Sequence, residues 1–240
     1  MLAHAEFLDL ADTPWYFRSY AHQHVERYAF AASTIHSGDI VLDVACGPGF
    51  GTAMLAEKAK HVTGVDISED ALRIARSRST RENTTFVQAD ATALPFAPAT
   101  FDTVTCFETI EHIASDDAGR LLSEIHRVLK PDGRLHLSTP ESRCFSLGHP
   151  PSNPFHPFEF TREELLQALH PMFKVEAEYG QEFVSNRFLR RARAISRLQP
   201  HLFQRLWRAW IMVCRFHGHV VDIHTRPDAT PMILLIEARK

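Results

Sequence analysis

Between Val41 and Thr52 the chain reads VLDVACGPGFGT, a short apolar run with an acid near its end, then three closely spaced glycines. Few folds accept that order. Val41 to Val44 suits a buried strand, but Gly47, Gly49 and Gly51 end it, and the residues that follow suit a helix. A strand, a tight turn and a helix N-terminus must therefore follow one another. Such a junction aims backbone N–H groups at one point and clears Cβ atoms from it, which suits a nucleotide or nucleoside. An ordinary strand-to-helix turn is the plainer alternative. Asp43, near the strand's carboxyl end, can accept a hydrogen bond from a cationic amine.

The motif is the first of several alike. HVTGVDIS (61–68) reads as a second buried strand ending at Asp66, and Thr84 to Gln88 as a third, followed by Asp90. Phe101 to Phe107 is a fourth, followed by Glu108, with RLHLSTP, FKVEAEYG and PMILLIEAR as the fifth to seventh. Between them lie helical stretches: Thr52 to Lys60, the segment capped by Ser68, Ser115 to Leu129 halted by Pro131-Asp132-Gly133, and ELLQALH behind the capping box TREE from Thr161. This alternation predicts an α/β fold, a Rossmann-like doubly wound, mostly parallel seven-stranded sheet with an antiparallel C-terminal strand. Such sheets bind ligands beyond the carboxyl ends of their strands, where Asp43, Asp66, Asp90 and Glu108 all fall. Four gathered acids call for a cationic or hydroxyl-rich ligand.

With 240 residues, 45% of them hydrophobic, the chain can bury one core, so residues 1–240 read as a single domain. A helical cap is expected over 1–36 and a helical insertion over 184–219. That insertion has no acid and eight arginines between Arg187 and Arg215. Leu189, Ile195, Leu198, Leu202, Leu206, Trp210 and Val213 lie near helical spacing there, broken at Pro200. It reads as a substrate lid, an RNA or phosphate contact, a peripheral membrane contact through 187–215, or a helical pair whose arginines face water. A net charge of −3 gives no polyelectrolyte character for bulk binding of nucleic acid. Four scattered cysteines (Cys46, Cys106, Cys144, Cys214) read as reduced thiols, which suits a cytoplasmic location. His4, Glu6 and Asp9 interrupt any leader-like run, and no stretch of eighteen apolar residues suggests a membrane span.

DVACGPG, GVDIS, FVQADATALPF, FDTVTCFETIEH and RVLKPDGRLHLSTP, in that order, resemble the class I S-adenosylmethionine (SAM)-dependent methyltransferases. The resemblance covers about residues 15–183 and the last strand. It implies a SAM cofactor, with Ala45, Gly47 and Gly49 beside the methionine moiety and Asp43 meeting its ammonium directly or through water. Asp66 would take the ribose hydroxyls, Ile67 and Ala91 would sandwich the adenine, and Asp90 would accept its exocyclic amine. Phe107 would back the sulfonium. Tyr16, Tyr20 and Arg27 would cover SAM, with Arg27 on its carboxylate; otherwise Arg27 is a solvated helix charge. An NAD site fits less well, because its fingerprint is G-x-G-x-x-G and here the third glycine follows after one residue.

Glu108-Thr109-Ile110-Glu111-His112 directly follows the fourth strand, and HPFEFTREELLQAL begins at His156. Together they resemble two metal-using groups: the O-methyltransferases of ubiquinone biosynthesis and the 2′-O-methyltransferases of small-RNA 3′ ends. The resemblance implies Glu108, Glu111 and His112 as catalytic residues, and these with His156 as ligands of Mg2+, Mn2+ or Zn2+; His149 is a weaker substitute for His156. A similar Glu-His pair also occurs in metal-free relatives, where the acid holds a loop and the histidine is a base or a core residue. The expected function is methyl transfer to an oxygen of a small-molecule acceptor (a phenol, quinol, sugar or specialised metabolite). Methylation of RNA 3′ ends and a non-catalytic SAM-binding scaffold are the alternatives.

Overall fold

Apolar strands buried on both faces set the architecture. In β1 (Ile40–Val44), β2 (His61–Asp66) and β4 (Phe101–Phe107) nearly every residue is buried, as parallel strands covered by helices require. The computed structural model describes residues 18–147, 149–151, 153, 155–196, 206, 207 and 219–240. Their strands form one sheet in the order β3-β2-β1-β4-β5-β8-β6-β7, with β3 at Thr84–Gln88, β5 at Leu129–Pro140, β6 at Lys174–Ser185, β7 at Val221–Asp222 and β8 at Ala229–Arg239. The first five strands run parallel, while β8 enters antiparallel between β5 and β6. All seven expected strands are present. The two-residue β7 adds an eighth at the edge, antiparallel to β6.

Successive side chains of β1 point to opposite faces and so divide the core. Leu42 and Val44 pack with Leu121, Leu122 and Ile125 of α4 (Ser115–Val128) and with Leu165 and Leu169 of α6 (Arg162–Leu169). Val41 packs on the other side, with Tyr28 and Ala31 of α1 (Arg18–Thr34) and Leu55 of α2 (Phe50–Leu55). Helix starts agree with local sequence. Ser68 Oγ accepts the Ala71 N–H at the head of α3 (Glu69–Arg78), where Glu69 and Asp70 complement the dipole. Thr161 and Glu164 form the capping box of α6.

Differences arise where distant groups intervene. α2 ends at Leu55 rather than Lys60, because Asn83 Nδ2 donates to the carbonyls of Ala56 (2.9 Å) and Ala59 (3.1 Å) and caps a tighter turn. β6 runs on to Ser185, five residues past Gly180, where the expected strand ended. Directly after β5 the chain forms a short helix, α5 (Ser142–Phe145). The first part of the insertion is helical, as α7 (Asn186–Ser196), with Leu189 and Ala192 packed on Cys144, Leu147 and Trp207. Ile195, on the face of α7 away from Leu189 and Ala192, is instead 54% exposed, and Leu206 is 60% exposed. Tyr16, Leu198, Pro200, Leu202, Trp210 and Val213 lie outside the described residues, as does the side chain of Tyr20.

His136, on β5 beneath α1, is a buried imidazole held by Thr34 Oγ1 at 2.9 Å, with Nδ1 unpartnered. Burial, reinforced by Arg134, pushes its pKa down to about 3. The unfolded chain protonates this histidine below about 6.5, and the folded protein does so only near 3, so stability falls as pH drops through that window. Chemical denaturation at pH 7 and pH 5 is expected to show His136→Gln losing about 2 kcal/mol less than wild type between the two. Equal losses would contradict this account.

Candidate active site

The strand order reverses between β1 and β4, so the crevice beyond their carboxyl ends is the natural site. Both strands leave the sheet through a left-handed residue, Ala45 (φ 56°) after β1 and Glu108 (φ 49°) after β4. Non-glycine residues are uncommon there and concentrate at functional sites. Beyond Ala45 the loop nests on its neighbours. A Cβ on Gly49 (φ 81°) would stand 2.8 Å from Ala75 Cβ and 3.0 Å from the Phe86 ring, whereas one on Gly47 (φ 54°) would meet nothing within 4 Å.

Asp43 faces inward rather than toward the crevice. It is fully buried, and its oxygens accept from the hydroxyls of Thr52 (2.7 Å), Thr105 (2.8 Å) and Tyr28 (3.0 Å). Burial pushes its pKa up to about 6 even so. Its visible task is to tie α1, α2 and β4 to β1. Asp66 is half-buried and bridges the loop, accepting the N–H groups of Gly47 and Ser68, each at 2.8 Å. Beside it Ile67 is 71% exposed, an apolar side chain with nothing over it, at the strand ends that also carry Asp90 and Ala91. Asp90 is exposed, and hydrogen bonds from the Thr92 N–H and hydroxyl hold its carboxyl below the usual range. Phe107 is buried, edge-on to Tyr28 with centroids 5.0 Å apart.

Arg27 is completely buried, which removes the reading as a solvated helix charge. Nη1 donates to Gln181 Oε1 at 2.6 Å, and Gln181 donates in turn to the Gln23 carbonyl. Among the described residues its Nε and Nη2 have no hydrogen-bond partner, and Glu108 Oε1 lies 4.0 Å from Nη2. A buried guanidinium with idle donors is costly unless an anion completes it. Glu108 itself accepts from Ser138 Oγ at 2.9 Å.

Glu111, in a 3-10 turn (Ile110–His112) after β4, is buried and accepts from Thr139 Oγ1 at 2.9 Å. Burial, then the charge of Glu108, raises its carboxyl well above the usual carboxylate range. Donor atoms of Glu111, His112 and His156 all lie within 4.8 Å of one another. His112 Nδ1 meets the Phe155 carbonyl at 2.9 Å, and His156 Nδ1 meets Glu159 Oε1 at 3.0 Å. Neither acceptor can donate, so in the neutral rings both protons sit on Nδ1 and both lone pairs on Nε2. Two imidazoles and a carboxylate are a donor set that suits a divalent transition ion, whose bonds of about 2.1 Å would need the three to draw in slightly.

Glu108, expected with these three, lies outside that cluster: it accepts from Ser138 and stands 4.0 Å from Arg27. His149 stands apart, bonded to Ser196 Oγ of α7 at 2.8 Å. Sequence reasoning missed Gln181 and Thr139, which carry no local signal. It also passed over Glu159, which stands three residues after His156 in the quoted HPFEF run.

A methyltransferase-domain family matches residues 41–133, from β1 to the turn inside β5. Residues 41–133 carry a methyltransferase domain. The chain is 36% identical over 146 residues to a "probable S-adenosylmethionine-dependent methyltransferase" of Mycolicibacterium smegmatis, covering 60% of this chain and 55% of that one. It is 35% identical over 106 residues to the ubiquinone biosynthesis O-methyltransferase of Pseudomonas aeruginosa, covering 43% and 45%. The chain therefore spans about half the length of the curated relatives it matches. In fold it is similar to a SAM-dependent methyltransferase from Mesorhizobium loti (TM-score 0.59, 20% identity, 88% of this chain and 95% of that one). It is also similar to the [4+2]-cyclase SpnF (TM-score 0.62, 24% identity, 98% and 86%), so the fold alone does not select the reaction.

Residues around the crevice fit SAM in three respects: the nested glycine turn, the exposed Ile67 face and the donors of Arg27 left unpaired among the described residues. Gly49→Ala is expected to lose about 2–4 kcal/mol of stability, from the left-handed penalty plus the overpacking. Gly47→Ala should lose only about 1–2 kcal/mol, from the conformational penalty alone. Denaturant titration of both variants measures the gap, and equal losses would show that the Gly49 contact is immaterial.

Proposed function

We propose that the protein is a SAM-dependent methyltransferase acting on an oxygen of a small-molecule acceptor, a phenol, quinol, sugar or specialised metabolite, with a divalent cation held by Glu111, His112 and His156. The observation that carries this reading is the convergence of those three donors just beyond β4, beside the buried pair of Arg27 and Glu108. Among the relatives are O-methyltransferases of ubiquinone biosynthesis and a demethylmenaquinone methyltransferase, which is 40% identical over 108 residues.

SAM supplies a methyl group already activated on a sulfonium. The chain's part is to position it and to prepare the acceptor. Arg27 offers Nε and Nη2 to the cofactor's carboxylate, Asp66 accepts from the ribose hydroxyls, and Ile67 and Ala91 pack on the adenine, with Asp90 accepting its exocyclic amine. The Gly47–Gly49 turn, kept rigid through Thr52 and Asp43, lies along the methionine moiety, with Ala45 at its start and Phe107 behind it. A bound cation would lower the acceptor hydroxyl's pKa. Glu111, His112 and His156 place the acceptor oxygen, and exclusion of water by Phe107, Tyr28 and Phe145 protects the transfer.

A second reading, methylation of an RNA 3′ end, draws on Arg187, Arg190, Arg191 and Arg193 of α7, none of which makes an ion pair among the described residues. This helix packs above α5, whose Phe145 stacks on His156. Among the described residues no helix is long and apolar enough to cross a membrane.

Two measurements test the reading. With labelled SAM and pooled catechols, sugars and 3′-diol RNA, transfer is expected to the catechol pool and to stop on chelation, while SAM remains bound; full activity in excess EDTA would end the metal assignment. By calorimetry, Arg27→Met should weaken SAM about 30-fold or more, whereas Glu111→Ala should lower kcat about 100-fold with little change in SAM affinity.

A further inference from the structure

Glu159 has no evident structural reason to be an acid. Phe158 and Phe160 on either side of it pack against the main core, and Glu159 between them is 5% exposed. One oxygen, Oε1, lies 3.0 Å from His156 Nδ1, while Oε2 is buried with no hydrogen-bond partner. Among the described residues no lysine or arginine pairs with it; its one ion-pair partner is His156. A buried oxygen left bare costs about 1–3 kcal/mol, which an apolar residue at this position would avoid. Stability therefore does not account for the side chain.

What Glu159 does touch is the histidine that completes the three-donor cluster. His156 is 8% exposed, with Phe145 stacked on it (centroids 6.1 Å apart) and His112 set perpendicular to it at 4.8 Å, so its ring plane is already defined by packing. Packing cannot choose between the two ring nitrogens, since both edges of an imidazole are alike in shape. An acceptor on one edge can. We propose that Glu159 is a positioning residue of this site: it holds His156 as the Nδ1–H tautomer, so that the Nε2 lone pair is the donor offered to the cluster beside Glu111 and His112. A carboxylate behind a ligating imidazole also raises the basicity of the opposite nitrogen, and removal of such partners typically weakens metal binding about 10–100-fold. The tautomer stands by itself; the effect on metal affinity rests on the cation reading above.

The test uses the full chain in three forms: wild type, the isosteric Glu159→Gln and the truncating Glu159→Ala, with circular dichroism melting to confirm that each folds. Long-range proton–nitrogen NMR of the metal-free proteins at one fixed pH reports the tautomer of His156, assigned by loss of its signals in His156→Ala. The wild type is expected as Nδ1–H and Glu159→Ala as a mixture or as Nε2–H, while Glu159→Gln, whose amide can present its oxygen or its NH2, is expected between the two. Titration with Mn2+, followed by electron paramagnetic resonance, should show affinity falling about 10–100-fold in the variants. If His156 stays Nδ1–H in folded Glu159→Ala, the proposal is overturned whatever the metal does. Unchanged Mn2+ affinity, with a wild type that binds, overturns it as well. A wild type that binds no Mn2+ but shows the tautomer shift supports Glu159 in its role and removes the cation reading instead.

Discussion

The site rests on one buried carboxylate. Asp43 sits in the middle of the sheet at the switch point and gathers hydroxyls from three separate elements: Tyr28 of α1, Thr52 of α2 and Thr105 of β4. Each of those contacts does positional work. Tyr28 brings α1 over the crevice, and its ring lies so close to Gly51 that a Cβ there would overlap it. Thr52 pins the first turn of α2, and with it the glycine turn that precedes it. Thr105 ties β4 to β1 two residues before the chain turns toward Glu108. A carboxylate without these donors would be intolerable at this depth, and the donors without the carboxylate would be three buried hydroxyls in need of partners. The network is therefore all or none, which makes the geometry of the crevice a property of the fold rather than of the ligand.

The same logic explains how the two strand ends are used. β1 and β4 lie side by side and each leaves the sheet through a left-handed residue. The turn at Ala45 releases a loop of small residues that lets another molecule approach the backbone. The turn at Glu108 swings that side chain back toward Ser138 and Arg27 and sends Glu111 and His112 onward toward His156. Two neighbouring strands thus serve two halves of one crevice: a Gly-lined half on the β1 side and a donor-lined half on the β4 side.

How much of this the sequence discloses depends on the range of the interaction concerned. The Ser68 cap, the Thr161–Glu164 box and the apolar strands are local, and reading along the chain finds them within a residue or two. The family pattern likewise sits in the contiguous segment 41–133. What escapes is tertiary. The inward turn of Asp43 needs Thr105, 62 residues away, and the burial of Arg27 needs Gln181, 154 residues away. The turn of Glu108 toward Ser138 and Arg27, away from the cluster of Glu111, His112 and His156, comes with a positive backbone angle that no side-chain pattern encodes. Glu159 was within reach, three residues from His156, but an acid ahead of a capped helix reads as a first-turn charge until its neighbours prove to be core phenylalanines.

The charges of the crevice can be weighed against one another. Glu108, Glu111 and Glu159 are buried or nearly so, and Arg27 is the one buried guanidinium among the described residues that faces any of them. Arg27 sits 4.0 Å from Glu108, while burial, and after it the charge of Glu108, makes Glu111 hold its proton far above the usual range. Among the described residues Glu159 pairs with an imidazole alone. The carboxylates therefore outnumber the permanent cations, and the shortfall lies on the β4 side, where Glu111 and the two histidines meet. At Arg27 the shortfall is reversed, since it has donors that no acceptor among the described residues fills. A ligand carrying a carboxylate toward Arg27 and positive charge toward β4 corrects both at once. A zwitterion with an adjacent sulfonium has that charge pattern, and a divalent cation among the three donors would complete what it leaves.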